Sequence, residues 1–216
     1  MRTEGVIIDT SKEKPELIAS VQDLHKLLQT IEDEILPKTK EGVQKGNKVF
    51  GAAVLDSDLN LIIADTNDET TCPLFHGEVK LIYEWSKVVK ASERGPAAQE
   101  SIFLSTHEPC CMCISSIVWS GFRKVFYLFP YSITSAQGIP HDINVMHELW
   151  GVNSYRKKNR YCSTACIMDL IEGLEESDDK NALLEKQQEL VEAYERLSNK
   201  YHTEKKDNLN NSLVLG

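Results

Sequence analysis

Three side chains in this sequence have the types and spacing of zinc ligands. His76 provides one imidazole, and Cys110 and Cys113 provide two thiols separated by two residues. One nitrogen and two sulfur ligands suit a tetrahedral zinc ion, and a site with three protein ligands keeps a fourth position open for water, as catalytic zinc sites do. The spacing therefore predicts a catalytic rather than a purely structural zinc site.

Glu78 follows His76 by two residues and is the candidate proton carrier of this site. Zinc lowers the pKa of water toward about 7, which makes a nucleophile available at neutral pH. A carboxylate beside that water can move protons to the substrate as a general acid and base. A helix-capping pair would also explain His76 and Glu78, but it would leave the matching thiol spacing unexplained. We therefore predict that Glu78 is catalytic and not a zinc ligand.

Composition and charge favour a small-molecule substrate over long nucleic acid. The chain has 216 residues, is 41% hydrophobic and carries a formal net charge of −9. Proteins that bind a phosphate backbone usually have a basic face. The basic residues cluster only at 156–160, where we expect a solvated loop, with a docking site for a substrate phosphate as the alternative.

The sequence favours a cytoplasmic protein that does not enter a membrane. Residues 1–5 lack the apolar core of a signal peptide, and no apolar run is long enough to span a bilayer. The chain has six cysteines. In a reducing compartment, closely spaced cysteines indicate metal binding or catalysis more than disulfides.

The hydrophobic pattern predicts the elements that must position these residues. Their order is helix, two strands, helix, strand, helix, strand. Pro37 is expected to end the first helix, and the ligands fall at the starts of the second and third. The predicted helices cover residues 16–36, 75–89 and 109–119, and the predicted strands cover 49–55, 59–64, 101–105 and 124–129.

Beyond residue 130 the pattern predicts a loop over 131–140, short helices over 143–149 and 163–174, and a charged helix over 181–201. In the last helix Leu183, Leu190 and Leu197 are seven residues apart. This spacing fits either a short coiled-coil seam or a helix packed on its own domain. We expect a zinc-dependent domain over residues 1–175 and a charged helical extension with a frayed tail over 176–216.

Residues 106–113 carry the Thr-x-Glu-Pro-Cys-x-Met-Cys pattern and resemble guanine deaminases and tRNA adenosine deaminases. The His-Gly-Glu triplet at 76–78 is similar to that of fungal cytosine deaminases, and residues 50–54 resemble the Phe-Gly-Ala strand that precedes the site in these families. Over residues 16–129 the chain therefore resembles the cytidine deaminase-like superfamily of zinc enzymes.

This resemblance implies an α/β fold, a three-layer helix/sheet/helix sandwich with a mixed sheet of about five strands and extra C-terminal helices. It also implies a homodimer that uses Zn²⁺ as a hydrolase acting on C–N bonds of cyclic amidines. The expected reaction is hydrolytic deamination of a small amino-substituted heterocycle with release of ammonia. A free nucleobase or nucleoside that is guanine-like or cytosine-like is the expected substrate.

The resemblance also suggests residues that bind the substrate. Asn67 falls where these families carry a base-binding asparagine, and the Gly77 backbone and Phe50 belong to the matching segments. Asp142 and Trp150 are the candidates from the region after residue 130. A turn asparagine, a helix cap and a core tryptophan are the alternative interpretations of Asn67, Asp142 and Trp150.

Other uses of the cysteines remain open at this point. Cys162 and Cys166 could complete a closed four-sulfur zinc site, which would make the chain a structural zinc module or a catalytically silent scaffold. A thiol redox protein that uses Cys110 and Cys113 is a further alternative, but it would leave Glu78 without a role.

Replacing Cys162 and Cys166 together by serine separates the catalytic from the structural zinc site. If only His76, Cys110 and Cys113 bind the metal, the variant retains about one zinc per chain. A structural site would instead lose its metal and unfold. Zinc content and circular dichroism of the purified variant are the measurements.

Overall fold

A five-stranded mixed sheet is the centre of the fold in the computed structural model, which describes residues 9–205 and 207. The strand order is β2-β1-β3-β4-β5. β1 is antiparallel to both β2 and β3, whereas β3, β4 and β5 run parallel. The strands are β1 (Gly51–Leu55), β2 (Leu61–Thr66), β3 (Ile102–His107), β4 (Lys124–Phe129) and β5 (Ser163–Cys166).

Helices connect the strands and cover both faces of the sheet. A short 3₁₀ turn at Thr10–Lys12 precedes them. In chain order they are α1 (Val21–Thr30), α2 (Leu36–Gln44), α3 (Gly77–Val88), α4 (Arg94–Glu100), α5 (Cys111–Trp119), α6 (Tyr131–Ala136), α7 (His141–Trp150), α8 (Ile167–Glu172) and α9 (Asp178–Glu204).

Side chains of β1 alternate between two separate cores. Ala53 and Leu55 of β1 pack with α1, α2, α8 and α9 on one face. Ala52 and Val54 pack with α3, α4 and α5 on the other face. Because successive strand residues point to opposite faces, a fully buried strand needs a helical layer on each side. The arrangement confirms the predicted helix/sheet/helix sandwich.

The first helix continues past Pro37, so the prediction that this proline ends it was wrong. Between α1 and α2, Ile31–Ile35 forms a π-helical turn, and the Leu36 N–H donates to the Ile31 carbonyl. A proline ring clashes with the carbonyl four residues before it in a regular α-helix. The wider turn shifts that carbonyl, and Pro37 then lies in the first turn of α2, where its missing N–H costs little.

Three predictions for the remaining segments also need correction. Residues 131–140 were expected to be a loop but contain α6, and residues 163–174 were expected to be one helix but begin with β5. β5 has four residues with small side chains, which give no periodicity to separate strand from helix. Helix α4 was not predicted, because Gly95 and Pro96 resemble a turn in sequence.

Helix α9 packs on its own domain rather than forming an isolated coiled-coil seam. Leu183, Leu190, Tyr194 and Tyr201 are buried in the same core cluster as strands β3 and β4, and Leu197 packs against that cluster. The seven-residue spacing of the leucines therefore reflects a helix packed on its own domain. The boundary between residues 175 and 176 remains a proposal.

Some predictions fall on residues beyond the described part of the chain. The segment 1–5 lies outside it, as do residues 208–216 of the tail at 207–216 that was expected to be frayed. Within residues 9–205 and 207, no helix combines the length and apolar character needed to cross a membrane.

His107, the last residue of β3, is buried among aromatic rings. Its ring centroid lies 4.8 Å from that of Phe50, 4.9 Å from Phe129 and 5.5 Å from Tyr194 of α9. Burial lowers the pKa of His107 to about 3. The imidazole is therefore neutral in the folded protein at physiological pH.

The hydrogen bonds of His107 fix its tautomer. Thr106 Oγ1 accepts the Gly51 N–H at 3.0 Å, so its hydroxyl hydrogen can be donated to His107 Nδ1, also 3.0 Å away. The remaining hydrogen then lies on Nε2, which is 3.0 Å from the side-chain oxygen Oε1 of Gln137. His107 thereby links the end of β3 to the segment after α6.

We predict that His107 makes the fold acid-sensitive. In the unfolded chain this histidine takes up a proton below its ordinary pKa of 6.5, whereas the folded pKa is about 3. The unfolded state binds more protons between these values, so stability falls as pH decreases from about 6.5 to about 3. The loss from this one group at pH 5 is about 2 kcal/mol.

Urea unfolding of the wild type and of His107→Gln at pH 7 and pH 5 measures this contribution. The variant should lose less stability than the wild type between the two pH values. Equal losses would show that His107 is not the source.

Candidate metal centre

His76, Cys110 and Cys113 come together as the sequence predicted. Their ligand atoms all lie within 4.8 Å of one another, and His76 Nδ1 is 3.7 Å from each of the two Sγ atoms. Sulfur and nitrogen ligands on one tetrahedral zinc ion lie about 3.6 Å apart when the bonds are about 2.3 and 2.1 Å long. Among the described residues, no other trio of histidine, cysteine and acidic side chains gathers in this way.

The starts of two helices position the ligands. His76 is the N-cap of α3 and Cys110 is the N-cap of α5, with Cys113 in the first turn of α5. Helix starts carry partial positive charge, which favours anionic ligands. Burial nevertheless raises the pKa of Cys113. A metal cation would offset the cost of ionising these buried thiols, so the donor set fits zinc.

A buried carboxylate contacts the other nitrogen of His76. Glu69 Oε1 lies 3.5 Å from His76 Nε2 and 3.0 Å from Lys48 Nζ. Metal-binding histidines commonly direct their second ring nitrogen to a carboxylate, which orients the ring. Glu69 therefore holds the imidazole with Nδ1 toward the thiols, and Lys48 neutralises the buried acid.

Sequence reasoning missed both Glu69 and Lys48. Glu69 lies in a polar segment between β2 and α3 that resembles a turn in sequence, and Lys48 precedes a strand. Neither has the spacing of a known motif, and the two are 21 residues apart. An acid within ten residues of the predicted histidine ligand was the one available signal.

Asn67 lies at the site but uses both ends of its amide within the protein. Its Oδ1 accepts the backbone N–H of Gly77, the first residue of α3, and its Nδ2 donates to Glu69 Oε2 at 2.7 Å. The side chain is buried. Asn67 therefore ties the start of α3 to the loop that carries Glu69.

Gly77 and Phe50 bring α3 and β1 into close contact. A Cβ atom at Gly77 would lie 2.8 Å from Gly51 Cα and 2.9 Å from the Phe50 carbonyl oxygen, so only glycine fits there without movement. The Phe50 ring is buried, with its centroid 6.1 Å from that of His76. Both residues shape the metal centre through packing.

Glu78 is buried beside the ligand cluster. Its Oε1 accepts a hydrogen bond from Ser105 Oγ at 3.1 Å. Burial raises the pKa of Glu78 above its usual range. A raised pKa makes the carboxylate a better proton acceptor than a solvated one, which is the property that a general base requires.

A cavity of about 220 Å³ opens onto the metal centre. His76, Cys110 and Cys111 line one part of it, and Lys48, His141 and Asp142 contribute further polar groups. The remaining lining residues are mostly apolar: Pro73, Leu74, Met112, Ile139 and Val145.

Asp142 and Trp150, at opposite ends of α7, differ in their relation to this cavity. Asp142 lines it, is 9% exposed, and its carboxyl group has no hydrogen-bond partner among the described residues. Burial raises the pKa of Asp142 to about 8. Trp150 is 58% exposed and does not line the cavity. The structure thus brings Asp142, but not Trp150, to the predicted site.

The basic cluster at 156–160 lies in a loop, as expected, with Arg156, Lys158 and Arg160 exposed and Lys157 half-buried. Lys157 pairs with the buried Glu108, and its Nζ lies 4.3 Å from the centroid of the Tyr155 ring. Arg156 pairs with Glu13. None of these groups lines the cavity, so this cluster does not provide a phosphate site there.

Cys162 and Cys166 are buried apart from the metal centre. Cys162 Sγ accepts a hydrogen bond from Asn159 Nδ2 at 3.6 Å, and Cys166 Sγ donates to the Leu128 carbonyl at 3.4 Å. Neither joins His76, Cys110 and Cys113. The geometry therefore gives no support to a closed four-sulfur site.

The three candidate metal-binding residues lie within a segment that matches a known protein family. Residues 26–129 match the family model for the cytidine and deoxycytidylate deaminase zinc-binding region. Over 101 residues the chain is 32% identical to guanine deaminase of Bacillus subtilis (strain 168), which covers 45% of this chain and 62% of that protein. The match thus spans less than two thirds of the relative.

Two solved structures are also similar. Guanine deaminase from Nitrosomonas europaea gives a TM-score of 0.46 at 17% identity, covering 80% of this chain and 87% of the other. Guanine deaminase from Bacillus subtilis gives a TM-score of 0.45 at 25% identity, covering 59% of this chain and 83% of the other.

We predict that Glu69 strengthens zinc binding. Glu69→Gln keeps the shape of the side chain but removes the charge that faces His76 and Lys48. Loss of such an outer partner typically weakens metal affinity by about 10-fold to 100-fold. Competition with a chromophoric chelator measures the affinity.

Glu84→Gln is the matched control, because Glu84 lies on α3 and forms ion pairs with Lys80 and Lys87 away from the metal centre. It should bind zinc as the wild type does. Equal affinities of all three proteins would contradict the orienting role of Glu69.

Proposed function

Because residues 26–129 match the family model for the cytidine and deoxycytidylate deaminase zinc-binding region, we propose that the chain is a hydrolase that deaminates a small amino-substituted heterocycle. The observation that carries this proposal is the position of Glu78, buried and hydrogen-bonded, beside a three-ligand metal centre that opens onto a cavity. His76, Cys110 and Cys113 would hold the ion.

Zinc at this centre would polarise a water molecule and make it nucleophilic at neutral pH. The protein's own contribution is proton transfer and orientation. Glu78 takes one proton from the attacking water and delivers it to a ring nitrogen of the substrate. It then carries the second proton to the departing amine. The C–N bond breaks, a carbonyl remains on the ring, and ammonia leaves.

The hydrogen bond from Ser105 and the burial of Glu78 support this role. Ser105 Oγ holds one carboxyl oxygen at 3.1 Å, which leaves the other oxygen available to the reaction. The raised pKa of the buried carboxyl reduces the cost of its protonated state during the reaction. A solvated carboxylate would be a weaker proton acceptor here.

The size and polarity of the cavity favour a single heterocyclic base as the substrate. Its volume of about 220 Å³ is below the range of about 300–1,000 Å³ of pockets that bind drug-sized ligands. Asp142 lines the cavity without a hydrogen-bond partner in the described part of the chain. Because burial raises the pKa of Asp142 to about 8, its carboxyl group would accept a hydrogen bond from a ring N–H or amino group and donate one to a ring nitrogen or carbonyl oxygen. The apolar lining would pack against the ring faces.

A guanine-like base is the first candidate, because the relative with 32% identity is a guanine deaminase. A cytosine-like base is the second, from the His-Gly-Glu triplet. The net charge of −9 disfavours long nucleic acid as the substrate. A homodimer and a cytoplasmic location belong to the proposal as well, and both rest on the sequence.

An ammonia-release assay over free bases, nucleosides, nucleotides and pterin-like rings tests the function. The zinc-loaded protein should release ammonia from at least one free base and more slowly from the bulkier nucleotides. If zinc-loaded protein releases ammonia from none of these compounds, the proposal fails.

Glu78→Gln should keep the metal but lose activity. The amide cannot shuttle protons, and loss of a general acid and base usually costs about 10² to 10⁴ in rate. Zinc content should stay equal to that of the wild type, because Glu78 is not a ligand. The control Glu84→Gln should remain active. Wild-type turnover in Glu78→Gln would exclude the assigned role.

A further inference from the structure

Helix α9 lies outside the segment 26–129 that matches the family model. It nevertheless forms hydrogen bonds to the turn between α6 and α7, which precedes residues that line the cavity. Ser198 Oγ donates a hydrogen bond to the Gln137 carbonyl oxygen at 2.8 Å. His202 Nε2 lies 2.8 Å from the same oxygen, on the next turn of the helix. Two side chains of α9 thus converge on one backbone carbonyl between α6 and α7.

The side chain of Gln137 is fixed at the same time. Its Oε1 lies 3.0 Å from His107 Nε2 at the end of β3. Gln137 is therefore held through its backbone by α9 and through its side chain by the sheet. Because its backbone and its side chain are both hydrogen-bonded, Gln137 fixes the starting position of the residues that follow it.

Gly138 makes the contact with α9 tight. Its φ of +77° is in the left-handed region that glycine adopts at little cost. A Cβ atom at this position would lie 3.0 Å from His202 Nε2. The backbone at Gly138 thus lies directly against the His202 ring.

The residues after this turn form one wall of the cavity. Ile139 is buried in the core cluster that includes α9, and it also lines the cavity. His141 and Asp142, at the start of α7, line the cavity as well. Asp142 follows Gln137 by five residues along the chain, so we expect a shift of the turn to displace Asp142.

From these contacts we propose that Ser198 and His202 are positioning residues, which hold the turn at Gln137 so that Asp142 meets the substrate. The inference rests on the proposed function. It assigns to α9 a part in substrate binding, and none in metal binding or proton transfer. The expected effect of losing these bonds is therefore on KM rather than on kcat.

The double variant Ser198→Ala/His202→Ala tests this role by steady-state kinetics on the base found in the ammonia screen. Loss of the two hydrogen bonds should raise KM about tenfold, with little change in kcat and unchanged zinc content. Thr203→Ala is the matched control, because its hydroxyl donates to the Asn199 carbonyl within α9. It should behave as the wild type.

Hydrogen exchange provides a readout that does not need turnover. Amides of residues 137–145 should exchange faster in the double variant than in Thr203→Ala, while those of α5 stay unchanged. Unaltered exchange at 137–145, or an unaltered KM in an active enzyme, overturns the inference. A wild type without deaminase activity but with the expected exchange difference would refute the proposed function and leave the anchoring of the turn intact.

Discussion

The cost of burying two thiols beside an imidazole is the constraint on which the site depends. Cys110 and Cys113 are buried with His76 Nδ1 3.7 Å from each sulfur. Such a group of donors is stable only with a cation between the thiolates or with protons on the sulfurs. The contacts around it hold the ligands in place: Glu69 at the far side of the imidazole, and Asn67 at the first N–H of α3.

Close approach of backbone to backbone provides the rest of this rigidity. Gly77 touches the backbone of Phe50 and Gly51, so the start of α3 rests directly on β1. The hydroxyl oxygen of Thr106, on the neighbouring strand β3, accepts a hydrogen bond from the Gly51 N–H. The histidine ligand is thus fixed to the sheet by contacts that leave no space for a longer side chain. This precision places Glu78, one residue further along, against Ser105.

Local patterns gave the correct predictions, whereas contacts between distant parts of the chain account for the site residues that sequence reasoning missed. The ligand trio and the helix starts at His76 and Cys110 follow from short spacings that the sequence displays. Glu69 and Lys48 are 21 residues apart, and Ser198 is 61 residues from Gln137. Nothing in the sequence links such pairs. Pro37 was misjudged for a local reason, because a π turn is not encoded by any residue type that can be recognised in advance.

The burial of α9 beside the sheet also bears on how the family region at residues 26–129 could be moved between proteins. Leu183, Leu190 and Tyr194 complete a core that β3 and β4 share. A chimera built from residues 26–129 alone would carry all three ligands and Glu78, yet leave an apolar face of its sheet open to solvent. Such a chimera would need another helix to cover this face. Because α9 and the sheet share one core, a substitution in one must fit the packing of the other.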